Sequence, residues 1–127
     1  MRKLVLFLFV ALFLGCANNS QNLQKSSNLQ TSKPRDIKLE NLEKECFNGK
    51  KEACKELADS LQSKGEFEEA AKIYDYTCVK FQYIPACLSL AHLFETGKGV
   101  KQDLNVAKDI YTRACYSGDK QSCTKIR

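Results

Sequence analysis

The chain has 127 residues, 43% of them apolar and 28% charged, which leaves room for one small domain with a modest core. Its formal charge of +5 is not gathered into any basic run longer than Lys50-Lys51, and this excludes a nucleic-acid-binding surface. Seven cysteines with no Cys-x-x-Cys, beside a single histidine, exclude a metal site of the zinc type and point to disulfides in an oxidising compartment. No cofactor motif is present.

Residues 1–15 read as a signal peptide. Arg2 and Lys3 open it, an apolar run follows from Leu4 to Leu14, and Gly15 precedes Cys16. The run is too short to span a bilayer as a permanent helix but suits a cleaved leader. Phe13-Leu14-Gly15-Cys16 resembles the lipobox of bacterial lipoproteins, which implies lipidation of Cys16. Ala17 after that cysteine implies an outer-membrane address in a Gram-negative cell, with several acyl chains as the anchor. The plain alternative is an ordinary signal peptide with an incidental cysteine. Setting Cys16 aside leaves six cysteines, an even number. Residues 16–35 are mainly Asn, Gln, Ser and Lys, too polar to bury a core, and read as a disordered tether closed by Pro34.

The remaining stretch, 36–127, is expected to be an all-α domain of short disulfide-stapled helix-turn-helix repeats, an α/α solenoid. Helices are expected over 36–47, 50–63, 66–80, 85–96, 103–116 and in a stub from 119. Leu104, Ala107, Ile110, Tyr111, Ala114 and Cys115 recur at helical spacing on one face, with Asp103 placed as N-cap. Phe67, Ala70, Ile73, Tyr74 and Cys78 hold the same offsets one unit earlier. Cys54, Leu57, Ala58 and Leu61 likewise match Cys87, Leu90, Ala91 and Phe94, and Cys123 with Ile126 begins a third copy. Leu39, Leu42 and Cys46 form a capping half-unit.

The six cysteines fall into three neighbouring pairs, Cys46 with Cys54, Cys78 with Cys87, and Cys115 with Cys123. On one continuous helix such partners would be about 12 to 13.5 Å apart in rise, beyond the reach of a disulfide. A turn must therefore lie inside each interval, and Asn48-Gly49, Pro85 and Gly118-Asp119 supply it. The alternative is six buried free thiols.

Leu90, Phe94, Gly97, Gly99-Val100, Asp103, Ala107, Tyr111, Ala114 and Gly118-Asp119 resemble the pattern of Sel-one-like repeats, relatives of the tetratricopeptide repeat. With Cys115 and Cys123 added, the stretch 86–123 resembles the cysteine-rich secreted branch found in Helicobacter and Campylobacter. That resemblance implies a helical solenoid that binds partners, and in some members binding or slow hydrolysis of beta-lactams.

The residues themselves offer little chemistry. Ser117-Gly118-Asp119-Lys120 and Ser122-Cys123-Thr124-Lys125 both satisfy Ser-x-x-Lys, but Ser-Asp-Asn and Lys-Thr-Gly are missing, so no catalytic residue is assigned. The lone His92 can form no histidine pair and reads as a surface residue. Gly97 and Gly99 follow no strand, so they make a loop between helices and no phosphate cradle. Tyr76, Phe81, Tyr83 and Tyr116 lie off the repeated core offsets. They are candidates, with His92, for a binding surface, or else they seal the core beside the bridges. The expectation is a lipid-anchored envelope module, not an enzyme, that binds a protein, peptide or cell-wall ligand. A weak beta-lactamase is the alternative.

Overall fold

The computed structural model describes residues 36–127; the leader, Cys16 and the tether expected over 1–35 lie outside the described residues. Six helices follow one another: α1 Ile37–Phe47, α2 Lys51–Ser63, α3 Phe67–Phe81, α4 Ile84–Thr96, α5 Leu104–Tyr116 and α6 Lys120–Lys125. No strand occurs among the described residues. The chain is all-α, with disulfide-stapled helical hairpins.

Local signals explain where the helices begin and end. Asp36 accepts from the Lys38 amide ahead of α1, and Asp103 Oδ1 accepts from the amides of Asn105 and Val106 ahead of α5. Asp119 does the same for the Ser122 amide ahead of α6. Each satisfies a donor that the first helical turn leaves unpaired. Pro85 stands in the first turn of α4, where its missing N–H costs nothing, and Gly97 ends that helix in the left-handed conformation.

Each helix packs chiefly against its neighbours in sequence, α1 on α2, α2 on α3, and so on to α6. The contacts are lined with small residues. Of the sixteen buried apolar residues eight are alanines, among them Ala58, Ala70, Ala86, Ala91 and Ala107, so the helices approach closely but bury little area per side chain. Tyr74, Leu90 and Leu93 carry most of the bulk of the larger cluster, which spans α2, α3 and α4. Ala91, Ala107 and Tyr111 centre a second, between α4 and α5.

Three bridges join the end of one helix to the start of the next. Cys46–Cys54, Cys78–Cys87 and Cys115–Cys123 have alpha carbons 4.5, 4.7 and 4.8 Å apart. Each closes a short loop, worth about 2.5 kcal/mol in the chain-entropy account.

Two expected core positions behave differently. Leu104, placed on the buried face of α5, is 63% exposed, while Phe67 at the same offset of α3 packs against the core. The difference is the next loop: at Gly99 it passes so close over the Phe67 carbonyl that an added Cβ would overlap it, and Lys98 Nζ lies 5.3 Å from the Phe67 ring. No loop covers Leu104 in this way.

Gly99 holds φ +68 and Gly65 holds φ +80, yet only Gly99 is crowded. Gly65→Ala should therefore cost about 1 kcal/mol from backbone strain alone, and Gly99→Ala about 2–3 kcal/mol. Urea unfolding of the oxidised protein measures both, and equal losses would show that the loop yields without disturbing Phe67.

Candidate functional site

The buried tyrosines of the repeat carry polar contacts that periodicity alone did not reveal. On α3, Tyr74 is 1% exposed, and its hydroxyl donates to Asp59 Oδ1 at 2.6 Å, with Gln62 Oε1 at 3.0 Å, both on α2. On α5, Tyr111 donates to Glu95 Oε2 of α4 at 3.0 Å. The two sets occupy matched places: Gln62 and Glu95 each stand eight residues after a bridged cysteine, and Asp59 and His92 each stand five after. In the first unit the acid is the earlier residue, and in the second it is the later one.

Each carboxylate is also met by a cation. Lys55 Nζ lies 2.8 Å from Asp59, while Glu95 has His92 Nδ1 at 3.6 Å and Lys125 Nζ at 3.7 Å. Burial, and then the neighbouring carboxylate, pushes Tyr74 well above the ordinary phenol range. The same causes push Tyr111 up to about 12. These groups pin one helix to the next, and they place a negative oxygen at each hairpin surface.

The five residues expected to form a binding surface do not form one patch. Tyr76 and Phe81 do meet, edge to face, with ring centroids 5.8 Å apart. Lys80 Nζ sits 5.1 and 5.6 Å from the two centroids and donates to the Tyr76 hydroxyl at 2.8 Å. Tyr83 packs against the core, with Lys51 Nζ 5.2 Å from its ring, and so seals the hairpin. Exposed His92 belongs to the Glu95 group on α4, and Tyr116, 87% exposed, stands at the end of α5.

Neither Ser-x-x-Lys is an assembled nucleophile. Ser117 Oγ donates to the Arg113 carbonyl, and Ser122 Oγ, 2% exposed, donates to Asp119 Oδ2. Lys125 is instead turned to Glu95 and lies 5.5 Å from the Tyr111 ring. Both serine hydroxyls are committed to local caps, which is what their places at helix ends favour.

Several grooves lie between the helices, and two of them stand about one unit apart along the array. The larger, about 440 Å³, has Ala71, Leu90, Phe94 and Val100 on its floor and Glu68, Lys72 and Asp75 on its rim. The smaller, about 220 Å³, lies one unit later and includes Ala107, Tyr111 and Ile126, with Glu95, Lys108, Lys125 and Arg127 at its edge. Ile126 holds the offset in its unit that Leu90 holds in the earlier one. Among the described residues no helix is long and apolar enough to cross a membrane, and no cluster of His, Cys, Asp and Glu is grouped to hold a metal ion.

Among the described residues, then, the chain is a file of disulfide-stapled helical hairpins with grooves at their junctions. No protein-family model matches the chain. It is similar to proteins named cytochrome c oxidase assembly factor 7, at 35% identity over 91 residues in Mus musculus and in Homo sapiens. In each case 66% of this chain and 39% of the relative are covered. A homologue of that factor in Drosophila melanogaster is 35% identical over 83 residues, covering 61% of this chain and 31% of the relative. The chain thus spans well under half the length of the curated relatives it matches.

These relatives correct several expectations. They are eukaryotic proteins named as assembly factors, which overturns the assignment to the cysteine-rich Sel-one-like branch of Helicobacter and Campylobacter. The lipid-anchored envelope module, with its lipidated Cys16 and Gram-negative outer-membrane address, is withdrawn on the same finding. So is the beta-lactamase alternative, in agreement with the committed hydroxyls of Ser117 and Ser122. The lipobox and Ser-x-x-Lys are short patterns that chance supplies readily, whereas the similarity to these relatives runs over 91 residues.

Ultraviolet titration of tyrosinate should find two of the five tyrosines ionising late, Tyr111 at about pH 12 and Tyr74 higher still. Because the unfolded chain loses these protons near pH 10, stability is unaffected below that pH and falls as pH rises from about 10 toward 12. Tyr74→Phe should remove one late step and cost about 1 kcal/mol at neutral pH. Ionisation of all five tyrosines in a single step near pH 10 would refute the pairing.

Proposed function

We propose that residues 36–127 form a protein-binding scaffold that serves the assembly of a cytochrome oxidase, as the name of its relatives suggests for them. The observation that carries this reading is 35% identity to an assembly factor over 66% of the chain. The geometry agrees with it. A scaffold needs a rigid frame and an irregular surface, and here three bridges hold the helix ends while the side chains between hairpins vary. The relatives are named as assembly factors, not catalysts, and the commitment of Ser117 and Ser122 to local hydrogen bonds supports the same reading.

On this reading the partner is a protein. Tyr76 and Phe81, packed edge to face at the end of α3, offer it a preorganised apolar contact, and the exposed Tyr116 offers another. The bridges maintain the presenting surface and take no part in exchange with the client.

Cells lacking this chain should assemble less cytochrome oxidase, read as a several-fold fall in oxidase activity per unit of membrane protein. Cross-linking of the tagged chain without reduction should recover oxidase subunits. Unchanged oxidase activity in the deleted strain, with no oxidase subunit recovered, would overturn the reading.

A further inference from the structure

We propose that the groove between α3 and α4 is the docking site for a client segment in which a large apolar side chain is flanked by Lys or Arg. The proposal rests on the protein-client reading above and gives that client its chemistry. The groove, about 440 Å³, has the volume for one large side chain with its flanking backbone. Its accessible floor is Phe94 and Val100, both half-buried, beside the nearly closed Ala71 and Leu90.

Charge selects the occupant. Glu68 and Asp75 stand seven residues apart on α3, a rise of roughly 10 Å, with Ala71 between them. Neither has a cation within ion-pair distance among the described residues. The one cation on the rim, Lys72, is 3.9 Å from Glu69 on its own helix. Lys98, on the neighbouring loop, is held over the Phe67 ring. Two uncompensated carboxylates therefore flank an apolar floor. A lysine or arginine on either side of an inserted side chain lays its apolar stem along that floor and its charge beside the acid.

The acidic rim is not a requirement of the repeat. One unit later the smaller groove is edged by Lys108, Lys125 and Arg127 together with Glu95, which Lys125 meets. The offsets of Glu68 and Asp75 are held in that unit by the uncharged Asn105 and Thr112, so the repeat does not need acids there and Glu68 and Asp75 are free to select the occupant.

The test uses the full oxidised chain and a short fluorescein-labelled peptide with one Phe between pairs of Lys. Its counterparts carry Glu for Lys, or Ser for Phe. Anisotropy should show the Lys-Phe peptide binding at least about tenfold more tightly than either counterpart. Glu68→Lys with Asp75→Lys should abolish that preference and favour the Glu peptide, with the thermal transition lowered by only a few degrees through the loss of an acid from the first turn of α3. Equal binding of the Lys and Glu peptides, or binding unaffected by the double variant, would overturn the proposal. Cross-linking separates it from the broader reading. If the wild type and the double variant capture oxidase subunits equally, the groove assignment fails and the client reading stands. If the wild type captures none while the peptide still discriminates, the client reading fails and the groove stands.

Discussion

The structure depends on close helix contacts lined by alanine. Ala58, Ala70 and Ala86 in one cluster and Ala91 and Ala107 in the next let backbones approach where a larger residue would hold them apart. Alanine brings little apolar area into the interface, and among the described residues each helix packs chiefly on its sequence neighbours. A narrow file of this kind lacks the buried surface that a rounder domain of similar size would gain. The bridges act at that weakness: each fixes the geometry between two helices whose contact is small, and each does so at the turn, where fraying would begin.

The tyrosine pairs answer the same constraint from the other end of the hairpin. Tyr74 and Tyr111 are the bulkiest residues among the alanines, and their hydroxyls reach carboxylates on the preceding helix. A buried phenol without an acceptor would give up about 1–3 kcal/mol of what its ring contributes. The acceptor is consequently retained in both units although it is Asp59 with Gln62 in one and Glu95 in the other. What is kept is a negative oxygen at one point in space, reached from different sequence positions.

Much of this architecture was legible in the residues. Three cysteine pairs at repeated offsets force turns inside each interval, and the expected helices begin and end within about a residue of those found. The apolar stripe of α5 was legible too, except at Leu104, whose exposure depends on whether a later loop crosses it. Such a contact leaves no mark in local periodicity. The hydroxyl partners of Tyr74 and Tyr111 were missed for a similar reason, since a core tyrosine and a core phenylalanine occupy the same place in a hydrophobic pattern. The signal was present in the polar residues five and eight places after each cysteine, Asp59 with Gln62 and His92 with Glu95, on a helix otherwise read only for its apolar face. Tyr83 takes the second of the two roles left open for it, because an aromatic off the repeat offsets can fold back to close a hairpin. The expected envelope address rested on four residues ending at Cys16, and so short a pattern carries less information than similarity along 91 residues.

A linear array separates stability from recognition more cleanly than a rounder fold can. Residues that hold two hairpins together lie on the facing stripes, and those that edge the groove between them lie one turn aside, in solvent. Ala71 and Glu68 illustrate the division: three residues apart on α3, one is 4% exposed and closes the contact, while the other stands free on the rim. Changing the rim leaves the helix contact intact, so the acids Glu68 and Asp75 of one unit give way to Asn105 and Thr112 at the same offsets of the next. In such a fold the core records how the chain stands up, and the specificity for a partner is written in the charged residues that the core does not need.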